Sequence, residues 1–332
     1  MHAETEIDKL FAEYRGILDK AVKDAFSTVY VLDKVPLDST LSGGKKLRPI
    51  LALLSCEAIS GSYSKAIPVA IAYELAHSAS LVQDDIIDDS EIRHEKIAVH
   101  KKFGISKAII VSDLMIFEMF AQLSSYGDSE LPKERLGDLL RMVSRSAKLT
   151  AQGEFLELGL ASKDRISEEE YIEVAKLKTG SLFAATAASG GIVAGAPEEM
   201  VDALYRFGLN LGIAFQMRDD VLDIMGDSHK LGKPVLKDVQ NNTSNIVLIH
   251  AKSHANAEQR NVIDSMLYSK WFTATDVKKL MEVLKNQESI QYVSELVSDY
   301  AEASRKCLEL LPNSTAKDKL EKISYALENR SV

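Results

Sequence analysis

Two short acidic patterns stand out in this chain of 332 residues. One is Asp84-Asp85-Ile86-Ile87-Asp88, followed by Asp89, and the other is Asp219-Asp220-Val221-Leu222-Asp223. In a helix, residues at i and i+4 share a face, so Asp84 stands with Asp88 and Asp219 with Asp223. That arrangement is costly in three ways. Like charges at this spacing repel. Apolar surroundings penalise a carboxylate, and the carboxyl end of a helix already carries partial negative charge. A divalent cation relieves all three. An all-oxygen set suits Mg2+, which binds through one or two carboxylates together with water and phosphate oxygens. A solvated acidic helix end would explain either pattern alone. Aspartate makes up 23 of the 332 residues, which gives roughly 0.1 copies of the pattern by chance, so the pair asks for a shared chemistry.

A phosphate-bearing substrate also needs cations. The chain has 40 Lys and Arg against 49 Asp and Glu, a net charge of −9. That total argues against a general nucleic-acid binder, which needs a basic face, and leaves room for a local basic pocket. Gly43-Gly44-Lys45-Lys46-Leu47-Arg48-Pro49 sets three cations beside a flexible diglycine. A helix start near Pro49 would add its amide groups, a setting that suits a phosphate. His77 lies two turns before Asp84, where an imidazole is either a satisfied core residue or a ligand. Arg93, Lys178 and Lys233 flank polar breaks beside apolar segments, and singly each would be an ordinary surface charge.

The elements that must carry these residues read as helices. Seven prolines in the chain leave gaps of dozens of residues between them, and proline is what breaks helices. Apolar residues recur at helical spacing in Ile7, Leu10, Phe11, Tyr14 and Leu18, in Leu136, Leu139, Leu140 and Val143, and in Leu280, Val283 and Leu284. Each acidic pattern closes a segment that is apolar nearly all round, 67–90 and 207–223, which predicts two central helices. The uncharged run from Thr179 to Pro197 predicts a buried helix, whose small residues would let neighbouring helices approach closely, followed by a turn at Gly190-Gly191. No linker or repeat divides the chain, so a single all-α domain over residues 1–332, with about ten or more helices, is expected. The amino terminus reads as an amphipathic helix rather than a signal peptide, and no segment reads as a transmembrane helix. Cys56 and Cys307 are the only cysteines. They exclude a disulfide-framed fold, and a cytoplasmic location is expected.

Taken in order, the motifs resemble the trans-isoprenyl diphosphate synthases, or polyprenyl synthetases. The matching pieces are Gly43-Gly44-Lys45, Arg48-Pro49, Glu74 to Leu81 with His77, the first Asp pattern, Arg93, Lys178-Thr179-Gly180, Gly212 to Asp223 with Gln216, and Gly232-Lys233-Pro234. The resemblance runs from about residue 40 to the end of the chain, and the ordered set is far more specific than any member. It implies an isoprenoid synthase-type helical bundle around a deep central cavity, a homodimer, and a trans-prenyltransferase. That enzyme would condense isopentenyl diphosphate with an allylic diphosphate, geranyl or farnesyl. About three Mg2+ would be held by Asp84, Asp88 and Asp219, supported by Asp85, Asp220 and Asp223. Arg93, Lys178 and Lys233 would hold the allylic diphosphate. Lys45, Arg48 and His77 would hold that of isopentenyl diphosphate, and Thr179 and Gln216 would line the carbocation region.

The chain departs from the family pattern in three places. Arg93-His94 stands where two tandem arginines are usual, Thr243-Ser244-Asn245 lies where cations are frequent, and Gly153-Glu154, with Glu157 beyond, replaces Gly-Gln. In the family, bulky residues before the first Asp motif set the floor of the chain pocket. Here those positions are Ser80 and Ala79, then Ala76 and Tyr73. The expectation is a floor at Tyr73, aided by a facing helix through Phe117 or Met119, and a product of twenty carbons or more. Two alternatives stand beside this reading. A class I terpene cyclase would replace the second Asp motif with a different metal triad, and a non-catalytic subunit of a heteromeric synthase would have degraded motifs.

Overall fold

Long stretches free of proline become long helices in the computed structural model, which describes residues 6–26, 45–94, 96–127, 130–160, 163, 165–225, 236, 244–267 and 272–329. The fold is all-α. Among the described residues the only strands are β1 (Ile92–Arg93) and β2 (Lys96–Ile97), a two-residue antiparallel ladder pairing Ile92 with Ile97 and Arg93 with Lys96. The chain divides into two compact units, and each is described by itself.

The first unit comprises Met1–Ala147, Ala185–Tyr205 and Leu308–Lys322. It contains α1 (Glu6–Phe26), α2 (Leu47–Ser60), α3 (Ile67–Ile87), α4 (Val99–Phe103) and α5 (Ile105–Ser124). The helix α3 is the expected first central helix. It packs most extensively against α5 and also against α2, and Val69, Leu75, Ala79 and Val82 are buried on it. Val82, Val99 and Ala108, backed by Ile86 and Phe103, form the apolar cluster that holds the carboxyl end of α3. The helix stops where Asp89 takes a left-handed φ of 51°, with Asp88 N–H donating to the Asp84 carbonyl. The αL residue Asp89 is ion-paired with Lys101 at 2.6 Å.

The turn expected at Gly190-Gly191 does not form there. The helix α8 (Ser181–Ala194) runs through both glycines and ends before Gly195, whose φ is +80°. The two glycines answer a packing demand instead. A Cβ on Gly190 would lie 2.3 Å from the Ala52 carbonyl oxygen of α2, and one on Gly191 would lie 2.7 Å from Leu204 Cδ1. Small residues here let helices approach closely, an alternative to the turn for which glycine is more often used.

The second unit comprises Lys148–Ala184, Arg206–Cys307 and Ile323–Val332. It takes in the end of α6 (Lys133–Leu160), α7 (Glu168–Ala175), a π-helical turn at Lys176–Gly180, and most of α9 (Glu198–Met225). Beyond these lie α10 (Ile246–His254), α11 (Ala257–Leu267), α12 (Ala274–Asn286) and α13 (Ser289–Cys307), while α14 (Thr315–Glu328) has residues in both units. The helix α9 is the expected second central helix, and its last turn carries the second Asp pattern. Capping boxes start α7 at Ser167 with Glu170 and α12 at Thr273 with Asp276, each satisfying backbone donors that the first turn leaves over. No helix among the described residues is long and apolar enough to cross a membrane.

Candidate active site

Each Asp pattern sorts its carboxylates by depth. Asp85 and Asp220 are buried, 2% and 1% exposed, while Asp84, Asp219 and Asp223 are partly exposed and Asp88 is exposed. The sorting follows from helical spacing, because the second residue of each pattern lies about 100° round from the first. The buried members are committed to protein partners. Arg93, on β1, donates to Asp85 Oδ1 from Nε at 3.0 Å and from Nη2 at 2.5 Å. Asp220 accepts from Tyr171 Oη at 2.7 Å, from the Ile246 backbone N–H at 2.9 Å and from Gln216 Nε2 at 3.1 Å. Asn245 Nδ2 donates to the Asp220 carbonyl, and the Asn245 side chain also caps α10 through Val247 N–H. Pinning the inner aspartate fixes the rotation of the helix end, and the i and i+4 aspartates are thereby presented together.

Around α3 the basic residues separate into exposed and buried. Lys45 is exposed, whereas Lys46 takes a left-handed φ of 48° and is buried. Its ammonium lies 2.7 Å from Asp19 of α1 and 3.7 Å from Glu74 of α3. Burial pushes the Glu74 carboxyl above the usual carboxylate range, against the pull of Lys46 and Arg48. Arg48 Nη1 lies 3.1 Å from His77 Nε2. Burial, reinforced by Arg48, Arg93 and His94, holds the His77 imidazole well below its ordinary value, so it is neutral and accepts from the guanidinium. His94 sits at the hairpin turn with φ 48° and is exposed.

In the second unit Lys178 and Thr179 lie in the π-helical turn, a rare element that recurs at functional sites. Two glycines make room for it, and a third, Gly208, sits against the start of α8 just beyond. A Cβ on Gly153 of α6 would lie 2.4 Å from Lys178 N, and one on Gly212 of α9 would lie 2.8 Å from Gly180 Cα. A Cβ on Gly208 would meet the Phe183 carbonyl oxygen at 2.4 Å. Lys178 Nζ is bracketed by Glu154 Oε2 at 2.6 Å and Glu157 Oε2 at 2.5 Å. Thr179 Oγ1 donates to Gln216 Oε1 at 2.8 Å, so these two expected site residues form one hydrogen-bonded chain with Asp220. Lys233, Gly43, Gly44, Gly232 and Thr243 lie outside the described residues.

The residues proposed for the pocket floor stay within the first unit. Tyr73 is fully buried, with Oη 2.9 Å from Ser189 Oγ, and burial pushes its hydroxyl up. Ala79 is buried, and its carbonyl accepts from Ser112 of α5. Met119 is 3% exposed, while Phe117 is 66% exposed. Two residues apart on a helix differ by about 200°, so of the two expected bulky residues Phe117 points away. Sequence reasoning missed Tyr171 and Asn245, the donors that hold Asp220. No local pattern marks them, since both act across long sequence separations.

The chain matches the family model described as Polyprenyl synthetase over residues 31–284. It belongs to the polyprenyl synthetase family. It is therefore an enzyme of the trans-prenyltransferase class, as its motifs suggested. It is 33% identical over 326 residues to the short chain isoprenyl diphosphate synthase of Methanothermobacter thermautotrophicus, covering 97% of this chain and 98% of the relative. It is 31% identical to the geranylgeranyl diphosphate synthase of Saccharolobus solfataricus, over 93% of this chain and 92% of that one. The crystal structure of geranylgeranyl pyrophosphate synthetase from Pyrococcus horikoshii superposes with a TM-score of 0.90 at 32% identity, covering 98% of this chain and all of that one. In this polyprenyl synthetase chain both Asp patterns keep all three aspartates.

Proposed function

We propose that this enzyme condenses isopentenyl diphosphate head-to-tail with geranyl or farnesyl diphosphate in an Mg2+-dependent reaction, giving a linear trans-polyprenyl diphosphate of twenty carbons or more and releasing diphosphate. The observation that carries the reading is the shared construction of the two helix ends, each with its inner aspartate pinned and its i and i+4 aspartates presented. Among the described residues no three His, Cys, Asp or Glu side chains gather into a ready-made metal cage. Mg2+ takes few protein carboxylates and completes its shell with water and substrate phosphate. Asp84, Asp88 and Asp219 are the proposed ligands, about three ions in all by resemblance, with Asp223 in support. When bound, Mg2+ neutralises the charge that builds on the departing diphosphate.

The remaining roles belong to the chain. Lys178, Arg93 and Lys233 hold the allylic diphosphate and stabilise its developing charge. Lys45 and Arg48 hold the diphosphate of isopentenyl diphosphate, and neutral His77 orients Arg48 by accepting from it. Thr179 and Gln216, locked to each other, turn polar oxygens toward the allylic cation region. Tyr73 is the proposed floor, with Ala76, Ala79 and Ser80 as the small residues above it and Met119 beside it. A homodimer is supported by α5, where Ile105, Ile109, Ile110, Phe117 and Phe120 are exposed within an arc of roughly 140°. A cytoplasmic location is supported by the two free cysteines.

The test supplies Mg2+, labelled isopentenyl diphosphate and geranyl or farnesyl diphosphate to the purified chain, then sizes the dephosphorylated products. Linear alcohols of twenty carbons or more are expected, and Tyr73→Ala lengthens them. Cyclic hydrocarbon without label, or no turnover, would refute the reading. Unchanged product length in Tyr73→Ala would remove Tyr73 as the floor.

A further inference from the structure

The ammonium of Lys178 faces two carboxylates, Glu154 at 2.6 Å and Glu157 at 2.5 Å. The lysine is thus already paired with two carboxylates before any diphosphate arrives. All three side chains are only partly exposed, so solvent weakens these interactions less than at an open surface. An incoming diphosphate cannot use the full charge of Lys178 while both carboxylates hold it.

The two carboxylates are not equivalent. Glu157 Oε1 also accepts from Ser244 Oγ at 3.3 Å. Ser244 is buried and adjoins Asn245, which caps α10 and donates to the Asp220 carbonyl. Glu157 is thus tied into the framework of the second Asp motif. Glu154 makes its ion pair with Lys178 and with no other cation among the described residues. Its backbone cannot drift away, because Gly153, the preceding residue, rests directly on the Lys178 main chain with no room for a Cβ. The Glu154–Lys178 pair is therefore set by helix packing and is not an incidental surface contact.

We propose that Glu154 is a built-in competitor of the allylic diphosphate. It occupies the Lys178 ammonium when the site is empty, must release it when the diphosphate enters, and so weakens binding and eases departure of that anion. Glu154 is a positioning residue, acting on substrate through Lys178, and it makes this chain less retentive of its allylic diphosphate than an amide at the same position would. The proposal rests on Lys178 being an allylic diphosphate ligand.

The experiment measures the affinity of the full chain for inorganic diphosphate with Mg2+ by calorimetry, and the KM values for farnesyl and isopentenyl diphosphate. Wild type, Glu154→Gln, Lys178→Ala and the double variant are compared. Glutamine keeps the shape and removes the charge. Glu154→Gln is expected to tighten inorganic diphosphate and lower the farnesyl diphosphate KM by about three- to tenfold, with the isopentenyl diphosphate KM within about twofold of wild type. In the Lys178→Ala background the gain disappears, which a double-mutant comparison reads directly. Equal or weaker diphosphate binding in Glu154→Gln would overturn the proposal, as would a gain that survives without Lys178. A Lys178→Ala variant with an unaltered farnesyl diphosphate KM would remove Lys178 from the site altogether, an outcome distinct from Lys178 mattering while Glu154 does not.

Discussion

The carboxyl ends of α3 and α9 carry the same acidic spacing but neutralise its buried member by different means. At the end of α3, Asp85 meets a full positive charge, the Arg93 guanidinium, which the hairpin delivers from outside the helix. At the end of α9, Asp220 accepts from a set of neutral donors: a tyrosine hydroxyl, a glutamine amide and a backbone N–H. One solution is an ion pair between two side chains. The other spreads one negative charge over several dipoles, so no single donor is indispensable. Both solutions achieve the same end, because a pinned second aspartate orients the first and fifth.

The comparison predicts a division of labour within each motif. Asp84→Asn and Asp219→Asn should each lower turnover by about a thousandfold, with the urea midpoint close to wild type. Asp85→Asn and Asp220→Asn should act mainly on stability. Steady-state rates measured beside denaturant curves check this. If the outer variants lost stability and kept their rates, the distinction between presented and buried aspartates would fail.

A second pair of substitutions probes the difference between the ends themselves. Arg93→Met leaves Asp85 as a buried charge with its cation gone, at a cost of about 3 kcal/mol. Tyr171→Phe removes one neutral donor from Asp220 and leaves the Gln216 amide and the Ile246 N–H, at a cost of about 1.5 kcal/mol. Urea unfolding without substrate gives both values. A larger loss in Tyr171→Phe would reverse the assignment of concentrated and distributed compensation.

How much of this was legible beforehand follows from the range of the interactions. Helix positions followed from local periodicity, and the shared face of Asp84 and Asp88 follows from geometry alone. The partner of Asp85 lies eight residues away on a turn, and those of Asp220 include Tyr171 and Ile246, 49 and 26 residues distant. Nothing local in the chain announces such pairs. Gly190 and Gly191 mislead for a related reason. Glycine marks both turns and close helix crossings, and only the position of α2 decides between them. The same ambiguity hides the role of Gly153. Lys46 shows the converse, since a lysine beside a diglycine looks available to a phosphate yet is consumed by Asp19 and Glu74.

Acid offers the smallest of the expected effects and separates the two ends by their titratable surroundings. His77 stands behind the first motif, where burial above all, and then Arg48, Arg93 and His94, hold its imidazole well below its ordinary value. A base whose folded value is depressed binds fewer protons when folded, so its contribution to stability is complete above about pH 6.5 and is lost as the pH falls below it. Glu74, on the same helix, is shifted upward. It therefore works in the opposite sense, favouring the folded state as the pH drops toward the carboxylate range. The net slope of stability with pH thus mixes both groups, as well as His250, whose imidazole burial also depresses. The difference between wild type and His77→Gln isolates His77, because glutamine offers Arg48 an acceptor and does not titrate. Between pH 7.5 and pH 5.0 the wild type should lose more stability than His77→Gln, by an amount that grows steadily below pH 6.5. Parallel curves would mean that the imidazole takes its proton at the ordinary value in the folded chain, and so is charged below about pH 6.5. Arg48 would then be facing a cation in place of an acceptor, and the orientation assigned to its guanidinium would have to be abandoned.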